Sequence, residues 1–272
     1  MRRRSLLLSC LGAATAAPAI ARPQGPHPRS GALRVGSDSA LIESGLAQAL
    51  QQGFVRDIGL RVQLVADTAT AVLDALAAGE LDAGLTNAAD IETGLERQGL
   101  VHDRRPIASG EFVVVGPARS LAREIVSLDR SHGIVGLLAA LADAATRRSG
   151  ALVFLSANDG SGSHLAEQKA WRAARIASPA PWYRVADPAT GLIAQARARG
   201  ACAFVERGAW QMHGGAPLAI LGESGPESIE PVHAMRSFRS PHPVAKLFVG
   251  WVAGARGRAV VAAQRAYRIP SA

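Results

Sequence analysis

Segments of two different periods alternate along this chain, and that alternation narrows the fold more than any single residue does. Short apolar, β-branched runs at 33–35, 61–66, 81–86, 112–115, 152–155, 182–185 and 202–205 read as strands. Between them lie stretches with helical spacing. In 41–54 the apolar residues Leu41, Ile42, Leu46, Ala49, Leu50 and Phe54 form one stripe, the mark of a helix with one buried face. Helices are predicted likewise over 69–78, stopped by Gly79, and over 88–98, 134–147, 163–174, 189–198, 243–253 and 258–267. Strand–helix alternation implies parallel sheets flanked by helices. In such sheets ligands bind at the carboxyl ends of the strands. The loops that matter are therefore 36–40, 67–70, 86–90, 156–164 and 205–209.

Composition removes several function classes. The chain has 272 residues, 48% of them hydrophobic and 19% charged, enough apolar material for a sizeable core and too much for disorder. No apolar run reaches the roughly 18–20 residues of a membrane span. The formal charge is +8, but the arginines are scattered and aromatics are only 4%. A nucleic-acid footprint needs a basic cluster and stacking platforms, so no nucleic-acid partner is expected. A mild positive balance also suits attraction of small anions.

The N-terminus reads as an address. Arg2, Arg3 and Arg4 precede a moderately apolar stretch, and Ala19-Ile20-Ala21 supplies an A-x-A cleavage site. That is the layout of a secretory signal peptide over residues 1–21, followed by a flexible leader at 22–31. Arg3-Arg4-Ser5-Leu6-Leu7 resembles a twin-arginine motif, so export by the Sec or the twin-arginine route is expected. Leu7-Leu8-Ser9-Cys10 resembles a lipobox, but it stands too close to Arg4 for an apolar region of ordinary length. Without Cys10, Cys202 is the only thiol; it lies in the apolar run 201–205 and reads as buried and inert.

One loop stands out. Ser156-Ala157-Asn158-Asp159-Gly160-Ser161-Gly162-Ser163-His164 follows a strand and opens a helix. Small residues let backbone N–H groups point into a cavity, and Ser161 and Ser163 add hydroxyls at a helix N-terminus. Donors and helix dipole together favour an oxyanion. The plainer reading is a loop in which one of the two serines caps the helix. A Ser/His/Asp hydrolase fits poorly, since G-x-S-x-G is absent and neighbours on one turn rarely reach triad geometry. The seven histidines are scattered without an H-x-x-x-H pair, so no metal site, no cofactor and no catalytic residues are expected.

Several segments resemble the TupA-type tungstate-binding proteins of ABC importers, within the type II periplasmic-binding-protein (PBP) superfamily. That family's S-R-G-D-D-S-G-T-H is similar to 156–164, its L-W-x-x-A-G-I to 170–176, and its W-Y to Trp182-Tyr183. Its D-R-G-T-F resembles 206–210, its D-F-V-I-V-G-P 111–117, and its D-S-G-L Glu43-Ser44-Gly45-Leu46. Order and gaps agree from about residue 32 to 250. The resemblance implies an α/β, two-lobed type II periplasmic-binding fold, each lobe a mostly parallel sheet flanked by helices. Lobe one is expected at 32–110 and 232–272, and lobe two at 111–231. Ligand contacts are implied at Ser37, Asp38, Ser39, Thr68, Asn87, Ser161, Gly162, Ser163 and Arg207.

The departures bear on the ligand. The family's T-T-T-S stands here as Ser37-Asp38-Ser39-Ala40, which puts a carboxylate where a dianion would be bound. Its G-T-G-Q becomes Thr68-Ala69-Thr70-Ala71 and its H-A-P becomes Asn87-Ala88-Ala89. Its loop Arg becomes Ala157, a charge-assisted donor worth about 1.5–3 kcal/mol in a buried site. The reading is an exported, monomeric, non-enzymatic solute-binding protein of an ABC importer. It would hold an oxyanion such as tungstate or molybdate and meet a membrane permease. The alternatives are a different organic or zwitterionic ligand, with Asp38 pairing a positive group, and a periplasmic sensor or accessory domain.

Overall fold

The computed structural model describes residues 31–117, 133–147, 152–176, 181–223, 225 and 228–270. The expected signal peptide, Cys10 and the leader up to residue 30 lie outside these residues.

The chain opens with β1 (Leu33–Asp38), α1 (Ser39–Glu43), α2 (Leu46–Ile58), β2 (Val62–Asp67), α3 (Ala69–Ala78), β3 (Ala83–Thr86) and α4 (Ala89–Arg97). The long β4 (Val101–Pro117) leads to α5 (Gly133–Arg147), β5 (Phe154–Ser156), α6 (Gly162–Ala173), β6 (Tyr183–Val185) and α7 (Leu192–Arg199). Then come β7 (Cys202–Glu206), α8 (Arg207–His213), β8 (Leu218–Gly222), β9 (Ile229–Ser237), α9 (Pro243–Ala253) and α10 (Ala255–Ala262). Helix ends follow residue chemistry. Thr68 caps α3 by accepting from the Ala71 N–H, and Gly59 and Gly79 end α2 and α3 in the left-handed conformation (φ 77° and 80°) that glycine adopts without strain.

The strand order is β2-β1-β3-β9-β4-β7-β5-β6, with β8 also paired to β4. Four pairs are parallel: β1 with β2 and β3, and β5 with β6 and β7. The pairs made by β9 with β3, and by β4 with β7, β8 and β9, are antiparallel. The alternation therefore gives parallel pairing within each half, while the strands that join the halves run against it. Residues 101–111 of β4 lie on β9, and residues 112–117 lie on β7 and β8. A single 17-residue strand thus crosses from one half to the other. Sequence reading found only its last apolar stretch. It missed β8 and β9 as well; the helix expected over 41–54 is broken at Gly45 (φ 82°) into α1 and α2, and the final helix is shorter than expected.

The cores divide in the same way. Buried apolar residues from 33–108 and 232–267 build two clusters, and those from 112–221 build two more. In the first half Phe54 packs edge-on against Phe248 and Trp251, with centroids 5.2 and 5.7 Å apart. In the second, Phe154, Trp171, Trp182 and Tyr183 form one ring cluster. Most of the few aromatics are buried in these cores, where each buries much apolar area.

Candidate functional site

The carboxyl ends of β1 and β3 in one half face the start of α6 in the other, and Asp38 stands at their meeting point. Asp38 ends β1 and caps α1: its Oδ1 accepts from the Ala40 N–H at 2.9 Å. Its Oδ2 accepts from the Gly162 N–H at 3.0 Å, across the gap between the halves. The Ala69 N–H, at the first position of α3, acts on the same carboxylate. Asp38 is fully buried. Burial raises its pKa to about 6, against the lowering effect of the Gly162, Ala40 and Ala69 N–H groups.

Asn87 lies beside it at the end of β3. Its Nδ2 donates to Glu230 Oε1, and its Oδ1 has no hydrogen-bond partner. That oxygen is 1.7 Å from where a Cβ on Gly162 would stand, so only glycine lets α6 come this close. The turn holding Asn87 is clasped by Glu92, whose Oε1 accepts from Thr86 Oγ1 at 2.7 Å and from the Ala88 N–H at 3.0 Å. Arg104 Nε donates to Glu92 Oε2 at 2.9 Å.

In the loop before α6, most N–H groups already have partners within the protein. Ser156 Oγ takes the Asn158 N–H, His164 Nδ1 the Gly160 N–H, and Asp159 Oδ1 the Ser161 N–H. Ser161 caps α6, accepting from the His164 N–H at 3.3 Å. Thr70 on α3 donates to the Gly160 carbonyl from both its N–H (3.2 Å) and its Oγ1 (2.7 Å). This is a second hydrogen-bonded link between the halves. Below the loop, Glu167 accepts from Trp171 Nε1 at 3.2 Å and from the Tyr183 hydroxyl at 2.7 Å; burial pushes its pKa up to about 7.

A cavity of about 660 Å³ runs between the halves. Ser39 and Glu43 line it from the first half; Asp159, Ser161, Ser163, Asp187, Arg197, Glu206 and His213 line it from the second. Four carboxylates thus face one arginine and one histidine. Glu206 caps α8 through the Gly208 and Ala209 N–H groups, both at 2.8 Å. Burial raises it, and burial together with the Glu206 charge raises Glu230 further. Tyr267 joins this buried pair, and its hydroxyl lies 2.8 Å from Ser44 Oγ.

Among the sequence-predicted residues, Asp38, Asn87 and Gly162 come together, and Ser39, Ser161 and Ser163 line the adjoining cavity. Ser37 is buried, with its hydroxyl donating to the Asp38 carbonyl, and Thr68 is spent on capping. Arg207 departs from expectation. Its guanidinium bonds Glu111 at 2.8 Å and Glu223 at 2.6 Å and lines a different cavity, of about 740 Å³. Glu111 on β4 and Glu223 just after β8 hold it there. Sequence reading did not single out Glu206, which lines this cavity, or Glu230 and Tyr267, which are buried beside it. Glu206 had a signal, as the last residue of a strand before a helix; Glu230 and Tyr267 had none. Among the described residues there is no group of three or more His, Cys, Asp or Glu placed to hold a metal ion. No helix there is long and apolar enough to cross a membrane.

A family model described as a PBP superfamily domain matches residues 22–240. The chain belongs to the PBP superfamily. Solved structures carry the same fold. That of the tungstate ABC transporter from Geobacter sulfurreducens superposes with a TM-score of 0.71 at 24% identity, over 85% of this chain and 97% of that one. The tungstate-binding protein TupA from Desulfovibrio alaskensis G20 gives 0.69 at 22% identity, over 89% and 100%. A Haloferax volcanii protein, whose name assigns it to ABC transporters as an anion-binding protein, is 28% identical over 177 residues. That match covers 65% of this chain, and the chain spans about half (49%) of the length of that relative. Against this PBP frame the expected two-lobed α/β fold holds, and the candidate site lies where the two halves meet.

Proposed function

We propose that this PBP-superfamily chain is the extracytoplasmic solute-binding protein of an ABC importer. It clamps a small oxyanion of the tungstate or molybdate class between two lobes and presents it to a membrane permease. The observation that carries this reading is the convergence of first-turn N–H groups from two helices, α3 and α6, on one anionic group. Helix N-termini supply both donors and dipole to negative charge, and here they come from opposite halves, as a clamp requires. Similarity to importer-associated anion-binding proteins supports the same class. The lobes divide at about 110–111 and 231–232, residues 1–21 direct export, and the protein has no catalytic step.

A second reading rests on the cavity. Glu43, Asp159, Asp187 and Glu206 outnumber Arg197 and His213 around it, and opposite charge favours a ligand bearing an ammonium group. Its volume also falls within the range that holds small organic molecules. Isothermal titration of purified protein with tungstate, molybdate, phosphate and a panel of amino acids and polyamines separates the two. Saturable heat with an oxyanion supports the first reading. Heat only with amine-bearing compounds replaces it with the second.

A further inference from the structure

The Asp38 carboxylate occupies donors that an oxyanion would need. Gly162 and Ala69 stand at the first positions of helices of 12 and 10 residues, where N–H groups have no partner within the helix. Both act on Asp38. A single N–H does not serve a carboxylate and an incoming oxyanion equally well, and two anions in a desolvated cleft repel each other. A second polar group reaches the same point: Asn87, only 6% exposed, aims its unpartnered Oδ1 at Gly162. The other loop donors are held by Ser156, Asp159 and His164.

We propose, resting on the oxyanion reading above, that Asp38 is a built-in competitor for the anion site: it latches the two halves by binding the Gly162 N–H itself, and an oxyanion binds by displacing it. The ligand enters from the cavity lined by Ser39, Ser161 and Ser163 and takes over the Gly162 N–H as the Asp38 carboxylate lets go. Neutralising Asp38 removes both the competition and the repulsion. The charged groups acting on Asp38 reinforce this. Asp159 from the loop ahead of α6 and Glu230 from β9 are both acids. Glu43 on α1 and Glu206 at the end of β7 are further acids of the cleft, both raised by burial. His164 on α6 is a further titratable group, and burial holds its pKa below the ordinary value; Asp187, Arg197 and His213 line the same cavity. Acidic conditions that protonate Asp38, whose pKa is raised to about 6, should therefore strengthen oxyanion binding.

The test is titration calorimetry with tungstate and with sulfate at pH 8 and pH 5.5, on the native protein, Asp38→Asn and Asp38→Thr. Circular dichroism establishes that each variant is folded, and the second variant serves if the first does not fold. The expected result is native binding that tightens at least fivefold on going to pH 5.5. At least one folded variant should bind at least tenfold tighter than native at pH 8, with little pH dependence of its own. Tight native binding at pH 8, left unchanged or weakened in the folded variants, overturns the competitor role and leaves the oxyanion reading standing. Absence of binding by native protein and folded variants alike, at both pH values, overturns the oxyanion reading and the competitor role with it.

Discussion

The Gly162 N–H donates to Asp38 Oδ2 at 3.0 Å, joining residues 124 positions apart. This bond ties the first turn of α6 to the end of β1, and the surroundings of both residues are built to permit it. Gly162 has no side chain to collide with Asn87, and Asp38 ends its strand facing the opposite half.

Gly162→Ala is expected to force the halves apart. The new Cβ would stand 1.7 Å from Asn87 Oδ1 and 2.2 Å from its Cγ, far inside contact distance. Overpacking of this kind costs roughly 1–3 kcal/mol. Small-angle scattering should show a larger radius of gyration for the variant, and adding Asn87→Gly should restore the native value. A double variant as expanded as the single one would place the clash elsewhere.

Stability should rise as the pH falls from 8 toward 5. Burial raises Asp38 to about 6 and Glu167 to about 7, whereas carboxyls in the unfolded chain ionise near pH ~4. The folded state therefore binds more protons in this window. Its advantage from these groups is complete below the unfolded values and is lost as the pH rises through 6–7. Glu206 and Glu230 act in the same sense, and His164, lowered by burial, opposes it at the acid end. Scanning calorimetry at half-unit steps checks the direction, and Glu167→Gln should flatten the upper part of the curve. A melting temperature that falls steadily from pH 8 to 5 would contradict this balance.

Arg104→Ala is expected to cost roughly 3 kcal/mol of stability, the lower end of the cost of breaking a buried ion pair. Glu92 is fully buried, and Arg104 Nε is 2.9 Å from its Oε2. Because Glu92 clasps both Thr86 and Ala88, ligand affinity should fall along with stability. Urea titration and calorimetry on the same preparation measure the two. A loss well under 1 kcal/mol would mean that Thr86, Ala88 and His233, whose Nδ1 lies 2.8 Å from Glu92 Oε2, suffice to hold the carboxylate.

Cys202 should resist thiol reagents in the folded protein. It is 1% exposed, and burial pushes its pKa up to about 12, so almost no thiolate exists at neutral pH. Reaction with a chromogenic disulfide should become rapid only in denaturant. Rapid labelling under native conditions would show that β7 opens locally.

The strands and helices that the sequence made legible are those whose periodicity is local. The stripe of Leu46, Leu50 and Phe54, the stop at Gly79 and the cap at Ser161 each depend on residues within a turn or two of one another. Short-range chemistry decides such features. β9 and most of β4 escaped because strand pairing is settled by partners more than a hundred positions away; polar stretches such as His102 to Arg105 carry no alternation of their own. The site divides along the same line. The loop 156–164 announced itself through its small residues and hydroxyls, and Asp38 through its position in the first strand–helix loop. That Asp38 would accept from Gly162, that Arg207 would turn to Glu111 and Glu223, and that Glu206 and Glu230 would be buried side by side are decided by how the two halves meet. A hydrogen bond between distant residues exists only once packing has brought donor and acceptor within about 3 Å. By itself the sequence determined most of the helices, the parallel strands and the family; the tertiary structure decided which of the candidate groups come together and which anion holds the helix N-termini.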